Sequence, residues 1–261
     1  KYWHDFFNYA GIHRDVWLCS RPHAHVEDVT ITTNIDGGDG IVTWSVLSHN
    51  ADLLATRVTI FDDEGNVVAE ETGANAQTRI PSVHLWQPGQ GYLYEAEISL
   101  VNGDEVIDAY RQAFGVRTIR VDGTRLLING EPVYLTGFGM HEDHQTIGKA
   151  HNDALMLRDA ACLEWVGANS LRTSHYPYSE HILDYADRHG LLVIDETPAV
   201  GMKMGLGGGI FGTQGYTTFS AETINDETKK VHAQVIRDLI DRDKNHPSII
   251  ILSLIHISEP T

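Results

Sequence analysis

The chain has 261 residues, 42% of them apolar, which is enough for one large or two ordinary domains. Its 19 basic and 36 acidic residues give a formal charge of −17, which repels nucleic acid and anionic lipid, and the longest basic run is the pair Lys229-Lys230. Cys19 and Cys162 make neither a disulfide framework nor a CxxC pair, and no apolar stretch is long enough to cross a bilayer.

Residues 1–22 read as the end of something larger. Tyr2, Trp3, Phe6 and Phe7 are too aromatic for a free tail, Val16 to Cys19 reads as a last strand, and Arg21-Pro22 as a hinge. Residues 23–115 show no long helical pattern. Short runs rich in Val, Ile and Thr occur at Val26 to Thr33, Ile41 to Leu47, Ala55 to Phe61, Val67 to Glu71, Tyr92 to Val101 and Ala109 to Phe114. Turn signals such as Asp36-Gly37-Gly38 and Asn102-Gly103-Asp104 separate them, which predicts a small β-sandwich.

After Gly115 the pattern changes. Ile119 to Val121 and Arg125 to Ile128 flank an Asp122-Gly123 turn, and Asn129-Gly130 makes another. Strands and helices then alternate. Strands are expected at Val133 to Thr136, Ala168 to Leu171, Leu191 to Ile194 and Ile249 to Leu252. Helices are expected at Asn152 to Trp165, Ser179 to His189 and Thr228 to Asp243. Their inward faces are read as Ala154, Leu155, Leu157, Ala161 and Cys162 in the first, Ile182, Leu183 and Ala186 in the second, and Val231, Val235, Leu239 and Ile240 in the third. Asn152 or Asp153 caps the first helix and Gly190 stops the second. Repeated strand–helix units with short apolar strands mean a parallel sheet. Four units fit half of an eight-stranded barrel or an open sheet, and periodicity does not choose between them. Residues 201–220 carry seven glycines and no periodicity, so a lid over the pocket is expected there.

Three strand ends carry polar side chains. They are GFGMHEDH (Gly137–His144), SLRTSHYP (Ser170–Pro177) and the pair Asp195-Glu196 that closes Leu191 to Ile194. Adjacent parallel strands with mouths of this kind face one polar pocket. The cluster His141-Glu142-Asp143-His144 lacks the HExxH spacing of a helical zinc site, so no metal is expected. No GxGxxG follows a first strand, which excludes a dinucleotide-binding reading.

Six stretches in sequence order, DFFNYAGIHR (Asp5–Arg14), LWQPGQGYLYE (Leu85–Glu95), LLINGEPVYLTGFGMHED (Leu126–Asp143), WVGANSLRTSHYPYSE (Trp165–Glu180), HGLLVIDETPAVG (His189–Gly201) and RDKNHPSI (Arg242–Ile249), resemble glycoside hydrolase family 2, and most closely its bacterial glucuronide-cleaving members. The resemblance implies the tail of a jelly-roll sugar-binding-like domain at 1–22, an immunoglobulin-like β-sandwich at 23–115, and the first half of a (β/α)8 TIM barrel at 116–261. It implies removal of terminal β-D-glucuronic acid from glucuronides with retention. A β-galactosidase or another exo-acting family 2 glycosidase is the alternative within the family, and a non-catalytic carbohydrate-binding or scaffold protein the alternative outside it. No cofactor is implied. The expected partner is a small-molecule glycoside, with no nucleic acid and no membrane, in a homo-oligomer of the parent protein in the cytoplasm.

For the site, the resemblance gives Asp143 and His175 the recognition of sugar hydroxyls. A carboxylate accepts two hydroxyl protons, and an imidazole donates to a hydroxyl while its other nitrogen is held by a neighbour. His141, Arg172, Glu196 and Tyr176 are expected as pocket wall or support, with Arg172 neutralising Glu196. Met140 stands where the family usually has Arg. The apolar content of 201–220 suggests a hydrophobic leaving group. Retaining cleavage needs two carboxylates about 5–5.5 Å apart. The family's acid/base is the Glu of an Asn-Glu-Pro triplet after the fourth strand, but no Asn precedes Glu259 here, and its spacing from Asn245 is too long. Residues from about Leu252 onward therefore read as non-native sequence and Glu259 as a coincidental match. The chain as written is then expected to be inert, with its nucleophile lying outside it.

Overall fold

A computed structural model describes residues 9–198 and 225–254 of the chain. Two antiparallel sheets share the first core. One has β1 (His25–Asp36), β2 (Asp39–His49) and β5 (Asn75–Ile80) in the order β1-β2-β5. The other has β3 (Ala55–Phe61), β4 (Val67–Thr72), β6 (Tyr94–Asn102) and β7 (Glu105–Phe114) in the order β4-β3-β6-β7. The period-two rule explains the burial. Val42, Trp44 and Val46 of β2 point inward, as do Val58 and Ile60 of β3 and Ala96, Ile98 and Leu100 of β6. Each of the Val, Ile and Leu side chains among them stabilises the fold by roughly 1.5–3 kcal/mol. A bulge between Val26 and Asp28 resets the register of β1.

Two sequence expectations fail in this half. Val16 to Cys19 forms no strand, and Val16, Trp17 and Leu18 are exposed, because no described strand offers them a ladder. β5 has no apolar run to announce it. Only Ile80 of its six residues is buried, and pairing with β2 creates it.

A three-stranded meander follows, with β8 (Ile119–Asp122), β9 (Arg125–Ile128) and β10 (Glu131–Val133) in the order β10-β9-β8. Its second turn holds Asn129 at φ 52° and Gly130 at φ 85°, as a two-residue hairpin requires. Val133 to Thr136 is thus not the first parallel strand. Its beginning is spent in β10, and the parallel sheet starts at β11 (Gly137–Gly139). The Asn169 side chain bridges the connecting stretch, accepting from Thr136 N (2.8 Å) and donating to Tyr134 O (2.8 Å).

The parallel sheet runs β11, β12 (Ser170–Arg172), β13 (Leu192–Thr197) and β14 (Ile249–Leu254) in sequence order. A doubly wound sheet reverses its order at a switch point, and these four strands do not, which favours the barrel half over the open sheet. At Gly137 a Cβ would lie 1.9 Å from Ser170 O, so only glycine lets β11 approach β12. Helices α1 (Asp153–Trp165), α2 (Glu180–His189) and α3 (Asp226–Asp243) connect the strands. Asn152 caps α1 by accepting from Leu155 N (3.1 Å), and Gly190 ends α2 at φ 68°.

The inward face of α2 is Ile182, Leu183 and Ala186, as its spacing predicts. The faces of α1 and α3 differ from expectation. In α1 the buried residues are Ala160 and Leu163, while Ala154, Leu157, Ala161 and Cys162 are exposed and Leu155 is half-buried. Apolar residues surround this helix, so periodicity alone could not orient it. In α3, Leu239 and Asp243 are buried, Val235 is half-buried, and Val231 and Ile240 are exposed. Among the described residues no helix is long and apolar enough to cross a membrane.

Polar contacts lock the sandwich to the α/β part. Trp86, fully buried, donates its indole N–H to Asp187 O (2.7 Å). Arg117 NH2 donates to Ile249 O (2.8 Å), and the Asn245 side chain bridges Ile31 N and Val29 O (2.9 and 2.8 Å). A cleft of about 780 Å³ lies along this junction, lined by Ile31, Phe114, Arg117, Asn129, Lys244 and Pro247. It sits on the side where β14 begins, away from the polar strand ends.

Candidate active site at the strand ends

Glu196 organises the site. It ends in a carboxylate with no solvent exposure, near the C-terminal end of β13. One oxygen, Oε2, accepts from Arg172 NH1 (2.9 Å) and Ser253 Oγ (2.7 Å). The other, Oε1, lies 2.9 Å from His175 Nδ1. Groups from two neighbouring strands thus converge on the acid of β13: Arg172 closes β12, His175 follows it, and Ser253 lies in β14. The Arg172–Glu196 pair expected from sequence is present. A buried carboxylate needs such partners, since unpaired burial of the charge costs several kcal/mol.

The hydrogen-bond sense at His175 differs from expectation. A carboxylate only accepts, so Nδ1 is the donor. A neutral ring then carries Nε2 as an acceptor, and the ring serves a sugar hydroxyl as a donor only when protonated. His175 is buried, and the ring of His141 stands edge-on to it at 5.3 Å. His141 also reaches the ring of Tyr176 at 6.0 Å. Burial pushes the Tyr176 hydroxyl up to about 12, so it stays a neutral hydrogen-bonding group at ordinary pH.

Asp143 lies outside the Glu196 cluster proper. It is half-buried on the loop after β11 and accepts from Tyr9 OH (2.9 Å). This bond raises the Tyr9 hydroxyl above its ordinary range. The adjacent Glu142 fixes the loop. It accepts from Ser179 N at the start of α2 (2.7 Å) and pairs with Arg14, whose NH2 also donates to Pro177 O (2.8 Å). Its own backbone N–H donates to Tyr176 OH (3.0 Å). The Lys149 ammonium lies 3.4 Å from the centre of the Tyr176 ring, and burial lowers its pKa. The chain of contacts therefore runs from Asp143 through its neighbour Glu142 to Tyr176, His141, His175 and Glu196.

Met140 packs against the core beneath α2, and the Tyr178 hydroxyl lies on the carbonyls of Met140 and Ser174, the latter at 3.0 Å. Below the mouth, Asp195 is fully buried. Burial and the charge of Asp243 push its carboxyl up to about 7, against the hydrogen bond from Thr173 Oγ (3.1 Å).

Four contributors went unread in the sequence: Tyr9, Glu142, Lys149 and Ser253. Glu142 carried a signal, since an acid beside the Asp143 loop can reach the amide that opens the next helix. Tyr9 and Ser253 carried none, because each meets the site only through folding. Residues 201–220 and Glu259 lie outside the described residues.

A sequentially ordered parallel sheet, polar at its C-terminal strand ends and joined to a β-domain, is the arrangement of a multidomain protein with a β/α barrel. Residues 119–259 match the family model described as glycosyl hydrolases family 2, TIM barrel domain, and residues 24–117 match that described as glycosyl hydrolases family 2. The chain belongs to glycosyl hydrolase family 2.

Its relatives narrow the likeness. The β-glucuronidase of Paenibacillus borealis is 41% identical over 255 residues, covering 97% of this chain and 41% of the relative. That of Sus scrofa is 37% identical over 258 residues, covering 96% of this chain and 37% of the relative. The solved structure of the Ruminococcus gnavus enzyme in complex with D-glucuronic acid superposes with a TM-score of 0.84 at 38% identity, covering 96% of this chain and 40% of that one. The chain thus spans about two fifths of the length of the relatives it matches.

Proposed function

We propose that the protein of which this chain is part removes terminal β-D-glucuronic acid from glucuronides with retention of configuration. The observation that carries this reading is the convergence of Arg172 and His175 on buried Glu196 at the ends of adjacent parallel strands, in a chain so similar to β-glucuronidases. In this reading Asp143 and His175 hold the sugar hydroxyls. Glu196, Arg172, His141 and Tyr176 keep those two groups in place. Preorganised groups of this kind supply geometry without rearrangement during reaction.

The same reading divides the chain into the end of a jelly-roll domain at 1–22, an immunoglobulin-like sandwich at 23–115 and the first part of a barrel at 116–261. The substrate is a small glycoside, and the whole protein is a homo-oligomer.

The test is a comparison of kcat/KM for the whole protein on an aryl β-D-glucuronide and the matching aryl β-D-galactoside. A preference for the glucuronide of about a hundredfold or more, ~2.7 kcal/mol, is expected. Equal rates or a galactoside preference would overturn the sugar assignment.

A further inference from the structure

Away from the strand ends, one group of side chains has the composition of a transition-metal site. His151 precedes the cap of α1, Asp153 is the first residue of α1, and His181 is the second residue of α2. His151 Nε2 lies 2.7 Å and His181 Nδ1 3.4 Å from the same carboxylate oxygen, Asp153 Oδ1. The two imidazoles are stacked, with centroids 4.2 Å apart and planes 23° from parallel. One donor atom from each of the three residues lies within 4.8 Å of the others. Donors around a tetrahedral zinc ion, with bonds of about 2.0–2.1 Å, stand roughly 3.3–3.5 Å apart.

A second observation is independent of the cluster. His181 turns its other nitrogen, Nε2, toward Asp15 Oδ2 at 3.9 Å, from a separate segment of the chain. At that distance the contact is electrostatic rather than a hydrogen bond, and the negative carboxylate favours a cation held by the imidazole. The alternative cluster, Asp184, Asp187 and His246, is less accessible to an ion from solvent. Asp187 is buried, and its two oxygens already accept from Ser248 N (2.9 Å) and contact His246 Nδ1 (2.6 Å).

We propose that His151, Asp153 and His181 bind one divalent transition-metal ion of the zinc, cobalt or nickel class, with water completing the coordination. Two imidazole nitrogens exclude calcium and magnesium, which take oxygen ligands. The partial positive charge of two helix N-termini opposes a cation there. Asp153 and Glu180 in those first turns, and the overall charge of −17, act in the opposite direction. The ion ties the end of the loop carrying Asp143 to α2. This inference does not depend on the sugar assignment.

The test is titration of the 261-residue chain with zinc chloride by calorimetry and with cobalt chloride by visible absorption. One saturable zinc site is expected, with a cobalt d–d band of low coordination number and no comparable response to calcium. His181→Ala and Asp153→Asn, at exposed positions and checked for unchanged circular dichroism, should each weaken zinc binding by about tenfold or more. His246→Gln should leave it unchanged. Absence of saturable binding, or binding that both His181→Ala and Asp153→Asn leave intact, would overturn the proposal.

Discussion

Glu196→Gln separates the charge of the buried acid from its shape. Glu196 has no exposure and three side-chain partners: Arg172 (2.9 Å), His175 (2.9 Å) and Ser253 (2.7 Å). Glutamine keeps the volume, so no cavity opens. Its amide oxygen serves Arg172 and Ser253 where Oε2 stood. Its NH2 then meets His175 Nδ1 as donor against donor, and the ring must move its proton to Nε2. The loss is the charge assistance to Arg172, discounted because that side chain is 35% exposed, and the tautomer cost at His175. Together these come to about 2–3 kcal/mol. Glu196→Leu, which leaves all three partners without their acceptor, should cost more, about 3–5 kcal/mol.

The assay is urea unfolding followed by hydrogen exchange in peptides covering 170–197, with peptides covering 25–114 as the internal control. Exchange should accelerate in the first set and not in the second. A ring-nitrogen shift in the NMR spectrum should report the His175 tautomer change. Stability within about 0.5 kcal/mol of the parent, or equal loss in the sandwich peptides, would refute the view of Glu196 as the local organiser.

Other perturbations reach different links. Asp195 is raised to about 7 by burial and then by Asp243, so its folded pKa lies above its unfolded one. Its contribution is complete below about pH 4 and is lost as pH rises through 7. Burial alone would lower His246, but its bond to Asp187 outweighs this and raises it, so its contribution is lost as pH rises through its folded pKa, above 6.5. Thermal stability should therefore decline toward neutral and alkaline pH, and Asp195→Asn should flatten the slope between pH 4 and 7; an unchanged slope would contradict this. Trp86→Phe removes the indole bond to Asp187 O from a fully buried site and should cost about 2 kcal/mol, measured by urea unfolding. Gly137→Ala drives a Cβ into Ser170 O and should expose the amides of β12 to exchange, whereas the same change at exposed Gly38 should not.

The two β-sheets and the parallel units were legible because their signals are local. Alternation in Thr56 to Phe61 and Tyr94 to Leu100 fixes which side is buried, and Gly190 marks a helix end by the only conformation available to it there. β5 was not legible, because polar Asn75, Gln77 and Thr78 acquire a strand only when β2 offers its edge. The face of α1 was hidden by apolar residues on all sides. In the site, Arg172 and Glu196 could be paired from sequence because opposite charges ended adjacent strands. The position of Asp143 could not, since Tyr9 and Arg14 hold its loop from more than a hundred residues away. The sense of the His175 hydrogen bond needed the geometry of Glu196.

The most direct measurement is a crystal structure of the whole protein soaked with D-glucuronic acid. The account predicts one pyranose ring over the ends of β11, β12 and β13, with hydroxyls within hydrogen-bond distance of both Asp143 and His175. A sugar bound in the junction cleft beside Arg117, or bound with neither residue in contact, would contradict it.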